Sequence, residues 1–211
     1  MQKWFIGAFG LLALIWVVYV NRTTFFVDVH ATKILEHKVL PVHFHKQIWL
    51  MVLRLHVVSA SAAMLTGILG FTKRIFRQGS LWHRVNGRVY ILASLFGALT
   101  AGYLAPRATG GLLASTAFNL MEAIWVVATI AAFIFIRKKQ VLRHRAWMIR
   151  SYAMTLFNTS LHLWLFCAHT LIGIAYDTAY VLSLWMAVLV NLAMAEWIAR
   201  RTYRLAVRER R

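Results

Sequence analysis

The chain has 211 residues, 61% of them hydrophobic, and only six are acidic. Soluble domains do not carry that much apolar surface, and no Gly-rich phosphate loop, HExxH or GxSxG stretch offers soluble-enzyme chemistry a foothold. The formal charge of +18 does not imply nucleic acid as a partner, because the basic residues bunch at the ends of apolar runs.

A helix needs about 20 residues to cross roughly 30 Å of hydrocarbon. Six segments meet that length: 4–20, 48–71, 85–104, 112–136, 147–173 and 178–199. After the first, Asn21-Arg22-Thr23 makes a poor cleavage site, so the segment reads as a retained helix and not a signal peptide. Residues 21–47 then form an external loop with Asp28, Glu36, His30, His37, His43 and His45. Its stretch from about 28 to 39 predicts an interfacial helix with His30 and His37 on one face. His43-Phe44-His45 alternates like a strand and sets two imidazoles on one side. Imidazole suits copper, zinc and nickel, so metal capture by His43 and His45 is one reading. A solvated loop with incidental histidines is the other.

In the second span His56 shares a helical face with Ala60, Ala63, Gly67 and Gly70; in the third, His83 shares one with Gly87, Tyr90, Ser94, Gly97 and Ala101. The fourth span carries Glu122 one turn after Asn119. The fifth has a polar face of His144, Ser151, Thr155, Asn158, His162 and His169. It also holds Cys167, the only cysteine, which excludes an intrachain disulfide. Stripes of small residues ordinarily mean close helix packing; beside a histidine they also suit a flat cofactor.

The charge follows the same order. Lys73, Arg74, Arg77, Arg84 and Arg88 flank one loop, Arg137, Lys138, Lys139, Arg143, Arg145 and Arg150 another, and Arg200, Arg201, Arg204, Arg208, Arg210 and Arg211 end the chain. The connections near 105–111 and 174–177 carry only Arg107 and Asp177. This positive-inside pattern puts both termini in the cytoplasm. The expected architecture is an all-α integral membrane helical bundle of six transmembrane helices in the inner (plasma) membrane. It forms one domain: a first helix over 1–20, the external loop, a five-helix core over 48–200 and a basic cytoplasmic tail over 201–211.

Burying an ionisable group in hydrocarbon costs at least about 2–3 kcal/mol, so His56, Glu122, His162 and His169 are candidate functional residues. At 1.5 Å per residue, His56, Glu122 and His162 fall roughly 12–17 Å below the outer edge, while His83 and His144 sit at the inner edge. Two layers of imidazole suit two b-type haems, ligated by His56 with His162 and by His83 with His144. Arg84, Arg88, Arg145 and Arg150 are placed to pair with propionates, although His-Arg pairs at a membrane edge also serve as plain anchors. Glu122 is the candidate catalytic group, accepting protons from a quinol, or else a structural carboxyl bonded to a neighbouring helix.

His83-Arg84 with Gly87, Arg88 and Tyr90, then His144-Arg145 with Trp147, Met148, Arg150, Ser151 and Tyr152, resemble the bacterial membrane family grouped as domain of unknown function 2306. His56 at the start of a small-residue helix is similar to that pattern as well. The resemblance covers about 48–173 and implies a multi-pass membrane protein with no assigned activity. At the position of His162 the family often has arginine.

Two functions from different classes follow. One is a b-type cytochrome-like electron carrier or quinol-linked redox protein, with haem b and a quinone or redox partner. The other is a non-redox membrane protein, with the external histidines delivering a metal ion to His56, Glu122 and His162, or a transporter, or a structural subunit of a membrane complex with nine tryptophans at interfaces. In either case the lipid bilayer is a partner.

Overall fold

The computed structural model describes residues 2–36, 43–72 and 80–208. His37 and the loop cations Lys73, Arg74 and Arg77 lie outside these residues, as do Arg210 and Arg211. Among the described residues the regular structure is all helical. The elements are α1 (Gln2–Arg22), α2 (Thr32–Glu36), α3 (Lys46–Gly70), α4 (Leu81–Leu104), α5 (Gly111–Arg137), α6 (Val141–Thr155), α7 (Phe157–Leu165) and α8 (Tyr176–Arg208). Wide π-helical turns close α1 over Thr23–Val27 and follow α7 over Phe166–Leu171.

Among the described residues, five helices are long and apolar enough to cross a membrane: Gly10–Val27, Lys46–Gly70, Leu81–Arg107, Gly111–Arg137 and Tyr176–Arg204. The expected fifth span, 147–173, is not one helix. Leu156 interrupts it, with φ −81° and ψ 0°, and α6 and α7 on either side are each too short to qualify alone. The expected basic tail is also partly helix, since α8 runs on through Arg201 and Arg204 to Arg208. No Gly or Pro stops it there, arginine is a good helix former, and Arg200 Nε donates to Glu196 Oε1 one turn back at 2.6 Å. The expected interfacial helix is trimmed to Thr32–Glu36 in the part described. The Asp28 carboxylate caps it, accepting from Thr32 N–H at 2.8 Å and Lys33 N–H at 3.0 Å. Partial burial pushes the Asp28 pKa up, and the bonds from Thr32 and Lys33 more than offset this, so it lies below the ordinary 3.8. His43-Phe44-His45 is a turn leading into α3, not a strand. Phe44 lies against the buried Trp49, with ring centroids 6.0 Å apart.

The helices form two compact units, Met1–Leu104 and Ala105–Arg211. In the first, α3 and α4 pair antiparallel: His56 meets the Gly97 carbonyl near one end, and Asn86 Nδ2 donates to Thr66 O at 2.7 Å near the other. Ala63 and Gly67 of α3 and Tyr90, Ser94, Gly97 and Ala101 of α4 are buried. The small-residue stripes therefore let two backbones approach, which is how membrane helices gain dispersion contact without a hydrophobic drive. α1 joins through Asn21 Nδ2, which donates to Ser61 Oγ at 2.7 Å.

In the second unit α5 buries Ala114, Ala117, Met121, Glu122, Trp125, Ala128, Thr129 and Ala132. Thr129 and Ser151 join hydroxyls at 2.7 Å between α5 and α6, and Thr129 also donates to the Trp125 carbonyl at 2.8 Å. Arg150 of α6 pairs with Glu196 of α8 through Nη2 at 2.7 Å and Nε at 3.0 Å. Asn191 of α8 bridges the interruption at Leu156. Its Nδ2 donates to Ala153 O at 2.9 Å, and its Oδ1 accepts from Ser160 Oγ at 2.9 Å.

The α5–α6 turn closes as a Schellman motif. Gln140 N–H reaches Phe135 O at 2.9 Å and Lys139 N–H reaches Ile136 O at 3.0 Å. Lys139 takes the left-handed position with φ +58°, where glycine is ordinarily found. Lys139→Gly is therefore expected to stabilise the protein by about 0.5–1 kcal/mol. Thermal unfolding in detergent should show a rise on the order of 1–4 °C; a fall would contradict it.

Candidate functional site

Each unit contains one histidine locked to the backbone of a neighbouring helix. His56 Nδ1 lies 3.0 Å from Gly97 O and 3.3 Å from Thr100 Oγ1. The Thr100 hydroxyl gives its own proton to Phe96 O or Gly97 O, at 2.9 and 2.8 Å. A carbonyl only accepts, so His56 Nδ1 carries the hydrogen and the neutral ring has its lone pair on Nε2. His144 repeats the device on α6, its Nδ1 donating to Ala132 O of α5 at 2.8 Å. Ligating imidazoles are ordinarily oriented in this way, by a second bond from the other ring nitrogen.

His83 occupies the third position of α4. Ser80 caps that helix end, its Oγ accepting His83 N–H at 3.2 Å. The half-buried His83 ring has Nδ1 out of solvent with no hydrogen-bond partner among the described residues. His162 stands on α7 and is exposed, unlike the half-buried His56. His169 is exposed too. It donates Nδ1–H to Ile174 O at 2.8 Å and meets Tyr176 edge-on at 5.6 Å. His43 and His45 are exposed beside the start of α3.

Within each unit the histidines lie at two levels. His56 and Gly97, then Thr66 and Asn86, fix the α3–α4 register, so His56 and His83 are about 20 Å apart along the helices. His144 and His162 are about 27 Å apart along α6 and α7 at 1.5 Å per residue. The proposed haem pairs each draw one histidine from either unit: His56 and His83 belong to the first, His144 and His162 to the second. Among the described residues, no three His, Cys, Asp or Glu side chains gather into a group that would hold a metal ion.

Of the arginines assigned to propionates, Arg84 and Arg88 are exposed and Arg145 is half-buried. Arg150 is engaged by Glu196 and stacks over Trp147 at 4.9 Å. Glu196 thus pairs with both Arg150 and Arg200.

Glu122 is 7% exposed and Trp125, one turn on, 3%. Glu122 Oε2 and Trp125 Nε1 are both buried without a hydrogen-bond partner among the described residues. Phe118, one turn before Glu122, meets Phe157 edge-on at 5.6 Å. Sequence reasoning passed over Trp125, which has no signal beyond its spacing from Glu122. It also passed over Arg54, whose Nη2 donates to Val29 O at 3.0 Å. There a signal existed, since a cation inside an apolar run invites the question asked of His56.

No curated protein and no solved structure matches the chain. A family model does, over residues 53–199, under the description "Predicted membrane protein (DUF2306)". That match takes in His56, His83, His144 and His162 with Glu122 and both His-Arg motifs, and the five apolar helices agree with the description. The chain belongs to this family of membrane proteins.

Proposed function

We propose that the protein is a b-type cytochrome-like electron carrier, or a quinol-linked redox protein, of the inner (plasma) membrane. The observation that carries this reading is the shared anchoring of His56 and His144, each with Nδ1–H on a helix carbonyl. It leaves Nε2 as the ligating nitrogen and fixes the ring plane. The donor set fits haem b, because neutral imidazole is its usual axial ligand. His56 with His162 and His83 with His144 would hold two such groups, which supply one-electron chemistry when bound. With Arg150 taken up by Glu196, the propionates fall to Arg84, Arg88 and Arg145. Glu122 takes up protons released as a quinol is oxidised. The reduced, purified protein is expected to show sharp b-type absorption bands. His56→Ala removes one component and His83→Ala the other, because the two levels share no ligand. A colourless protein from haem-replete cells overturns the reading.

Six spans with both termini in the cytoplasm belong to the same proposal. Val141–Leu171, taken through Leu156, would extend about 45 Å, enough to cross a bilayer. Arg137, Lys138, Lys139 and Arg143 at the α5–α6 turn and the arginines ending α8 mark the inner side. A reporter after Arg211 should behave as cytoplasmic and one near Thr109 as external; a C-terminus on the outside would overturn this topology.

The buried Glu122 and the interrupted helix favour a second reading. A non-redox membrane protein, such as a transporter, uses buried acids and broken helices at its binding site. The spectrum separates the two.

A further inference from the structure

We propose that Glu122 and Trp125 together bind the carbonyl oxygen of a lipid-soluble quinone. The inference deepens the quinol-linked reading above and rests on it. Two observations carry it. Glu122 and Trp125 are more than nine-tenths buried, and each has a buried polar atom, Oε2 and Nε1, with no partner among the described residues. They stand at positions i and i+3 of α5, which share a face.

The chemistry of the pair narrows the ligand. An indole N–H only donates. No cation pairs with Glu122 among the described residues, and a buried unpaired carboxylate costs several kcal/mol, so beside the oxidised quinone, with the quinol's proton taken up, the carboxyl is the acid with an O–H to give. Two donors on one helix face suit a single acceptor with two lone pairs. A carbonyl oxygen has them, and so does water. The surroundings favour the carbonyl of an apolar ring. Phe118 and Phe157 lie one turn away, and α5 is otherwise lined by alanine and methionine, with Thr129 occupied by Ser151 and the Trp125 carbonyl.

The test uses the full-length protein in lipid nanodiscs, titrated with decylubiquinone isotope-labelled at its carbonyls and followed by difference infrared spectroscopy. Saturable binding with a carbonyl stretch lowered by hydrogen bonding is expected. Affinity should fall about three- to tenfold in Trp125→Phe and in Glu122→Leu, whereas Glu122→Gln keeps an N–H donor and should stay within about twofold. If Glu122→Leu does not fold, the contrast between Trp125→Phe and Glu122→Gln decides. Absence of saturable binding, an unshifted carbonyl or equal affinity in all variants overturns the inference. So does an ordered-water band that Glu122→Leu removes while the quinone has no effect, since water then satisfies the pair. A haem-bearing protein that fails the titration loses only this site. A colourless one that passes keeps the site and loses the haem.

Discussion

Asn191→Leu is expected to lower the melting temperature in detergent by roughly 5–10 °C. The substitution keeps the side-chain shape and removes both polar ends. Ala153 O loses the donor that reaches it from α8, and Ser160 Oγ loses its acceptor. Both groups are half-buried, so each left unsatisfied costs about 1–1.5 kcal/mol, and no water in hydrocarbon replaces the partner. A chain of this size loses about 2–4 °C per kcal/mol. The contacts straddle Leu156, so the loss should fall on the α6–α7 junction, and hydrogen exchange should rise there before it rises in α5. An unchanged melting temperature would mean that the break is held by apolar packing alone.

Gly110→Ala should be comparably costly, at about 2–4 kcal/mol or roughly 5–12 °C. Gly110 precedes α5 with φ +90°, a conformation that disfavours any side chain. A Cβ there would also lie 2.5 Å from Val181 Cγ2 and 3.2 Å from Ala114 Cβ. Both neighbours are on packed helices, so relief requires α5 and α8 to separate. Gly111 supplies the control. Its φ is +64°, yet a Cβ would meet nothing within 4 Å. Gly111→Ala should therefore cost only the backbone term, about 1–2 kcal/mol. Equal effects at the two positions would show that strain, and not the contact with Val181, sets the cost.

The membrane character of the chain was legible in the sequence because it depends on sums along a segment. Apolar content over about 20 residues places a span, and five of the predicted six appear as long apolar helices. The family motifs were legible for a similar reason, being contiguous residues such as His83-Arg84 and His144-Arg145. Glu122 could be singled out as a charge in an apolar run, and it is buried.

What each histidine does with its nitrogens depends on pairs far apart in the chain, and only the tertiary structure decides it. The acceptor for His56 is the carbonyl of Gly97, 41 residues on, and a backbone carbonyl leaves no mark in residue type. The same limit hid the Asn191 bridge, whose partners lie 31 and 38 residues away. It also hid the pairing of Arg150 with Glu196, 46 residues on. The stripes at Ala63, Gly67, Gly97 and Ala101 read equally well as helix packing or as a cofactor groove. That they serve helix packing is visible only once α3 and α4 face one another with those residues buried. The break at Leu156 was likewise invisible, because leucine is a strong helix former and the side-chain bonds that straddle the interruption come from α8.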